Sequence, residues 1–215
     1  MTSGEHPDET TSESDPSSTT RESVARAGRA VSTGDLVVYP TETVYGLGAD
    51  ALDAEAVDAV FEAKGRDRDD PLSMGVASVD AALEHVQPSP TALAFMRAFL
   101  PGPITAIVRR GRDVPDALTA GRNRVGVRVP DHPIARALAA DAGPITATSA
   151  NVSGAGSVTR VADLDDRIRE RAAVVIDGGE TSGTESTVVD PDAGRIHRRG
   201  EMAGAVEAWL ADPPL

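Results

Sequence analysis

The sequence predicts an α/β domain built on a twisted, mixed β-sheet flanked by helices. Short β-branched runs interleave with segments of 3.6-residue periodicity from about residue 36 to residue 198. The last strand-like runs come as neighbours without a helix between them, so the sheet is mixed rather than purely parallel. No linker-like run divides the chain after Arg21, and 40% hydrophobic content over 215 residues supports one real core.

Residues 1–20 (MTSGEHPDETTSESDPSSTT) hold ten Ser/Thr, five acids and no apolar residue beyond Met1. Such a segment cannot offset its ordering entropy and reads as a disordered acidic tail, leaving 21–215 as the folded domain. Thr19 with Glu22 forms a capping-box signature for a helix over 21–32, stopped by Gly34. Leu36 to Tyr39 reads as a strand ended by Pro40, and a Thr- and Gly-rich loop follows. Ala56, Val57, Val60 and Phe61 sit at helical spacing behind Asp53. Further helices are expected near 79–86, 90–100, 132–141, 160–170 and 203–210, the second with Pro90 in its first turn. Strands are expected near 72–77, 104–109, 125–129, 145–148, 173–176, 187–190 and 195–198. The pentapeptide GPITA occurs at Gly102–Ala106 and Gly143–Ala147, too little to make a repeat protein.

Composition narrows the chemistry. Ala and Val supply most of the apolar residues, so the core is made of small side chains. There is no cysteine, which excludes disulfides, thiolate zinc sites and a cysteine nucleophile, and the four His are too scattered for local metal-ligand spacing. No apolar run approaches a membrane span and no basic-then-apolar leader opens the chain, so a cytoplasmic protein without membrane contact is expected. The net charge is −13, and Lys64 is the only lysine. That balance suits a high-salt cytosol, where screening is short and like-charge repulsion cheap.

Familiar motifs fail on context. Gly46-Leu47-Gly48-Ala49-Asp50-Ala51 fits a relaxed dinucleotide fingerprint but starts six residues after its strand. Lys64 is followed by Gly-Arg, so no Walker A exists, and there is no nucleophile elbow. What remains are hydroxyl-rich and cationic segments at strand and helix ends: Pro40–Gly46, Lys64–Arg68, Thr148–Asn151 and Gly183–Thr187. Singly, each also reads as ordinary turn chemistry or a solvated helix end. Together they suit a small polar, anionic ligand. Six Arg between 109 and 128, and Arg195, His197, Arg198 and Arg199, add cationic density to an acidic chain. Arg128 alternates with Val127 and Val129 and so faces away from them, as a groove fork or a surface ion pair. Aromatic platforms for nucleic acid are scarce, with three Phe, two Tyr and one Trp.

Read in order, PTETVYGLGADA (40–51), Lys64-Gly65-Arg66 before DDPLS (69–73), PGPITAIV (101–108), VGVRVPDHPIA (125–135), PITATSANVSG (144–154), and VIDGG (175–179) before GTESTVVD (183–190) resemble the YrdC-like L-threonylcarbamoyl-AMP synthases. The resemblance runs from about Leu36 to Gly200. It implies the sheet wraps a large positively charged cavity. It also implies an enzyme, a nucleotidyltransferase, joining L-threonine, bicarbonate or CO₂, and ATP with Mg²⁺ into threonylcarbamoyl-AMP and pyrophosphate. That product serves the transferase machinery that makes N6-threonylcarbamoyladenosine at tRNA position 37, with tRNA contact possible. Carried over by motif, Thr43, Arg128 and Ser186 would hold L-threonine. Lys64 and Arg66 would meet the ATP phosphates and the developing charge. Ser149, Asn151, Ser157 and Arg198 would line the nucleotide side, and no residue is implied as a protein metal ligand.

The chain departs from the family pattern at three places. Asp67 and Asp70 stand where relatives often have Pro and an amide; Gly75 stands where many have His; and the chain stops near residue 215, as in the single-domain form. Two other readings stand beside the synthase: a non-enzymatic tRNA- or rRNA-binding protein of the same fold, and a carbamoyl-adenylating module like that of hydrogenase maturation proteins. Intact Thr43, Arg128 and Ser186 favour the synthase, and an acidic body disfavours sequence-independent RNA affinity.

Overall fold

The first helix, α1 (Ser18–Ser32), starts a turn earlier than the capping-box expectation, so residues 18–20 are helical rather than tail. The computed structural model describes residues 18–213, and the rest of the expected disordered tail, residues 1–17, lies outside the described residues. Val24, Ala27, Gly28 and Val31 of α1 are buried at helical spacing. Gly28 is the closest approach: a Cβ there would lie 2.0 Å from the carboxylate of Asp141 on the neighbouring helix.

β1 (Leu36–Tyr39) is buried on both faces, as its unbroken apolar run requires. β2 (Gly46–Gly48) pairs antiparallel with it, where a loop was expected. The glycines mislead a pattern reading, because Gly marks loops more often than strands. Their role is steric. A Cβ at Gly46 would lie 2.7 Å from the Tyr39 ring, and one at Gly48 would lie 3.0 Å from it.

α2 (Ala54–Lys64) follows Asp53, whose carboxylate accepts from the Glu55 backbone N–H at 2.9 Å, and ends on Gly65 at φ 59°. Then come β3 (Ser73–Gly75), α3 (Val79–Leu83), α4 (Pro90–Phe99) and β4 (Ile104–Arg109). A short helix absent from the sequence reading, α5 (Asp116–Thr119), precedes β5 (Arg124–Arg128), α6 (Pro133–Ala142) and β6 (Ile145–Ser149). The helix expected over 160–170 is split. A 3-10 turn over Val161–Asp163 is separated from α7 (Asp166–Arg171) by Asp165, which caps α7 through the Arg167 backbone N–H. β7 (Ala172–Val175), β8 (Thr187–Asp190), β9 (Arg195–Arg198) and α8 (Ala203–Ala211) complete the described chain. No helix of the described residues is long and apolar enough to cross a membrane.

The nine strands lie in the order β7-β1-β2-β6-β3-β5-β4-β8-β9, with parallel pairs at β1–β7, β3–β5 and β4–β8 and antiparallel pairs elsewhere. The expected mixed α/β sheet is therefore present. Its two halves are covered differently. Around β1, Val37 and Tyr39 pack under α1 and α6 with Val31, Ile134 and Leu138. Leu36 and Val38 of the same strand enter the larger cluster with α2 residues Val57, Val60 and Phe61. Around β4 and β5, Ile104, Ala106, Val108, Val125 and Val127 join that larger cluster with Phe95 and Met96 of α4. Phe95 also stacks on Phe99 at 4.6 Å and meets Trp209 of α8 edge-on at 5.1 Å, tying the last helix to α4.

Candidate functional site

The other face of this second half carries the alternate members of the same strands, most of them polar. Thr105 and Ile107 of β4, Arg124, Gly126 and Arg128 of β5, Ser73 of β3, Ala147 and Ser149 of β6, and Val188 and Asp190 of β8 all line one cavity. They are alternate residues, as a period of two demands. The cavity holds about 1020 Å³, at the upper end of the ~300–1,000 Å³ usual for small-molecule sites. Its lining carries five Arg (66, 122, 124, 128 and 198) and three carboxylates (Asp70, Glu185 and Asp190).

One end is built by the β1–β2 loop against β5. Thr41 folds that loop: its hydroxyl donates to Val44 O at 2.6 Å and accepts from the Thr43 and Val44 backbone N–H groups at 3.2 Å. The buried Thr43 hydroxyl is thereby set to accept from Arg128 Nη2 at 2.6 Å. The same Nη2 donates to Glu42 Oε1 at 2.9 Å. Arg128 Nε and Glu42 Oε2 are buried and have no hydrogen-bond partner within the protein, so the pair retains unused capacity. Ser186, just before β8, lies across from Thr105 at 3.3 Å and accepts from Arg198 Nη2 at 2.7 Å. Thr43, Arg128, Ser186 and Arg198, far apart in sequence, are thus brought to one cavity.

The second expected group divides. Arg66, Ser149 and Ser157 line the cavity with Arg198. Arg66 is aimed by its own turn, its Nε donating to Asp70 O at 3.0 Å and its Nη2 to Pro71 O at 3.2 Å. Arg198 is held below its ordinary range by desolvation first; the Glu185 charge opposes this and the Arg128 and Arg66 charges add to it. All three arginines line the same cavity.

Lys64 and Asn151 lie behind the cavity wall rather than on it, next to Ser149, which does line it. Lys64 is only 1% exposed, and its ammonium donates to the carbonyls of Ser149 and, at 2.7 Å, of Asn151. Burial, and secondarily the Arg66 charge, lower its pKa from 10.5 to about 8. The side chain is a clamp on the turn leaving β6, and that turn presents Ser149. Asn151 is turned into the same loop, its amide donating to Val152 O and Ala155 O at 2.8 Å each.

Two departures from the family pattern have a structural account. Asp70 lines the cavity and its carboxylate meets Arg66 Nη2 at 2.7 Å. Gly75 lies in β3 two residues beyond the cavity-lining Ser73 and does not itself line the cavity; a Cβ there would meet Ala147 Cβ and the buried Ile145 Cγ1 at 3.4 Å. Asp67 accepts from the Asp69 backbone N–H at 3.0 Å and shapes the turn rather than lining the cavity.

The sequence reading gave no site role to Glu42, Thr105, Arg124 or Asp190, although Glu42 lies in the Pro40–Gly46 segment and Arg124 in the 109–128 Arg cluster. The alternation that found Arg128 also points to Arg124 on the same strand and, applied to β4 and β8, to Thr105 and Asp190. The Arg cluster at 109–128 splits accordingly: Arg122, Arg124 and Arg128 line the cavity, while Arg110 is taken up by Asp116 and Val114 O. Arg199 is likewise paired outside, with Glu207. Among the described residues, no group of three or more His, Asp or Glu could hold a metal ion.

Residues 29–200 match the model of the Sua5, YciO and YrdC family, which is described as "Telomere recombination". The chain belongs to this family. Over 179 residues it is 41% identical to the threonylcarbamoyl-AMP synthase of Bacillus subtilis, with 80% of this chain and 51% of that protein covered. Among solved structures of the family, Pyrococcus abyssi Sua5 complexed with L-threonine is similar at TM-score 0.78 and 40% identity, covering 82% of this chain and 54% of that one. Escherichia coli YciO is similar at TM-score 0.76 and 26% identity, covering 84% and 90%. The chain thus spans about half the length of the first two relatives and most of the third.

Proposed function

We propose that this chain is a threonylcarbamoyl-AMP synthase, a nucleotidyltransferase that joins L-threonine, bicarbonate or CO₂, and ATP. The observation that carries the reading is the Arg128–Thr43 contact at one end of a cavity whose other walls present Arg66 and Arg198. A guanidinium beside a hydroxyl suits an amino-acid carboxylate next to a hydroxylated side chain, and the relative complexed with L-threonine supports that ligand. Guanidiniums lining one cavity, with Ser149 and Ser157 beside them, suit a polyphosphate.

In this reading Arg128, Thr43 and Ser186 orient L-threonine. Its unprotonated amine adds to CO₂, giving a carbamate and releasing one proton. A carbamate oxygen then attacks the α-phosphorus of ATP, the new O–P bond forming as the bond to pyrophosphate breaks. Transfer of this kind rests on positioning and charge stabilisation, the work assigned to Arg66 and Arg198. Lys64 acts one step removed, by fixing the turn that carries Ser149. Mg²⁺ would be brought with the triphosphate and would neutralise phosphate charge, and Asp70 beside Arg66 is the carboxylate that could meet it there. The activated product would pass, in the cytoplasm, to the machinery that modifies tRNA.

The test is pyrophosphate release in molar KCl with ATP, Mg²⁺ and bicarbonate, with and without L-threonine, the nucleotide product being weighed by mass spectrometry. Threonine-dependent release with a threonylcarbamoyl-AMP mass is the expected result. No turnover combined with tRNA binding would refute the synthase and favour the RNA-binding reading.

A further inference from the structure

Four cavity arginines carry a carboxylate partner from the chain itself, but the partners are held very differently. Glu42 on Arg128 and Asp190 on Arg124 are shielded, with side chains 16% and 11% exposed. Asp70 on Arg66 and Glu185 on Arg198 stand at the rim, 63% and 58% exposed. The first contact is 2.7 Å and the second a looser 3.9 Å. Ion pairs this exposed are worth only ~0–1 kcal/mol, so either acid can leave for water at little cost.

Neither arginine needs its acid in order to stay aimed. Arg66 is fixed by the carbonyls of Asp70 and Pro71, and Arg198 by the carbonyl and hydroxyl of Ser186. If the Asp70 carboxylate swings away, Arg66 stays in place and its Nη2 is opened to another anion; if Glu185 swings away, Arg198 stays in place and loses a competing charge, its Nε–H being donated to Ser186 O throughout. The mutual repulsion of the Arg198, Arg128 and Arg66 charges gives the empty cavity a reason to keep internal anions nearby.

We propose that Asp70 and Glu185 are displaceable counter-anions: Asp70 takes an anion position on Arg66, Glu185 balances the charge of Arg198 from 3.9 Å, and both yield to the phosphates of an incoming ligand. The inference rests on reading those two arginines as the phosphate end of the site. It makes these acids affinity-setting residues. They weaken phosphate binding, and by reclaiming the guanidiniums they favour release of a polyphosphate product.

The test is calorimetric titration of wild type, Asp70→Asn, Glu185→Gln and the double variant with inorganic triphosphate and, separately, with ATP, across a KCl series, with and without Mg²⁺. Both side chains are exposed and their replacements near-isosteric, so the fold is retained, which circular dichroism checks. Triphosphate affinity is expected to rise about two- to fivefold in each single variant and further in the double, with the gain shrinking as salt rises. Unchanged affinity overturns the inference. So does weaker binding of Asp70→Asn confined to Mg²⁺, because the acid would then be a metal ligand. Triphosphate binding as expected without ATP binding refutes the nucleotide reading alone, and failure of triphosphate to bind any of the proteins refutes the counter-anion inference itself.

Discussion

Lys64→Met isolates the energetics of a buried lysine whose length is kept and whose charge is removed. Two effects oppose each other. Losing the ammonium leaves the Ser149 and Asn151 carbonyls without their donor, at ~1–3 kcal/mol each. Against this, the wild type at neutral pH carries a charge that burial disfavours. The two separate by pH. Between pH about 8 and 10.5 the folded wild type has lost the Lys64 proton while the unfolded chain still holds it. The unfolded state binds more protons there, so wild-type stability rises with pH through this window. At about 1.4 kcal/mol per pH unit, the interval from about 8 to 10.5 amounts to roughly 3 kcal/mol. The Met variant lacks this contribution and every other titrating group is shared. Its destabilisation relative to wild type should therefore grow by roughly 3 kcal/mol between pH 7 and 10.5, whatever its value at pH 7. Urea denaturation of both proteins at half-unit pH steps measures it. A difference that is flat with pH, or that shrinks, would mean that the ammonium is as well stabilised inside as in water, and the argument from burial would be wrong.

Arg128→Lys keeps the charge but not the planar fork that serves Glu42 and Thr43, so KM for threonine should rise about 10- to 100-fold with a smaller change in kcat, measured by steady-state kinetics. Gly126→Ala puts a methyl 2.6 Å from Ser73 Oγ and 2.9 Å from Thr105 Cγ2 on the cavity floor. It should cost about 1–3 kcal/mol in thermal denaturation and weaken ligand binding out of proportion to that loss. Gly200→Ala meets backbone, with a Cβ 2.1 Å from Glu185 O and 2.5 Å from the Ser186 carbonyl carbon, so it should cost about 3 kcal/mol or more. A Gly200→Ala protein that melts with the wild type would show that the approach of that segment to β8 is looser than described.

Much of this architecture is written locally. Leu36–Tyr39, Ile104–Arg109 and Thr187–Asp190 form strands with the expected bounds, because β-branched runs closed by Pro, Gly or Asp leave few alternatives, and Arg195–Arg198 follows as the antiparallel partner of the last of them. Some differences are local, such as the Asp165 cap that splits the 160–170 helix, but those that shape the site are long-range. Gly46–Gly48 is a strand because Tyr39 needs room across the pair, a requirement invisible in the residues 46–48 themselves. Lys64 donates to the carbonyls of Ser149 and Asn151 because the turn after β6, 85 residues away, arrives beside it, a contact that the residues around 64 do not announce. Glu42 was given no site role for the same reason, its partner Arg128 lying 86 residues further on. Residue type marked the segments, the family resemblance named the candidates within them, and topology assigned their partners.

β5 shows why the core and the site are not independent choices. Val125 and Val127 are buried in the core, and Arg124, Gly126 and Arg128 line the cavity, so one five-residue strand serves both. A one-residue slip in its pairing would exchange the faces, sending two guanidiniums into apolar surroundings and two valines into the polar cavity. Burying an unpaired charge costs several kcal/mol, far more than the slip could recover elsewhere. The arginines that make the cavity chemically useful are thus also the strongest guard of the register. The constraint runs the other way through neighbouring strands, since Val127 is fixed opposite Met74 on one side and Ala106 on the other. Those contacts hold Arg128 at the height where Thr43 meets it. Moving either β3 or β4 along β5 would break the Arg128–Thr43 contact without touching a site residue, so core substitutions at Met74 or Ala106 belong to the determinants of the site as much as Thr43 does.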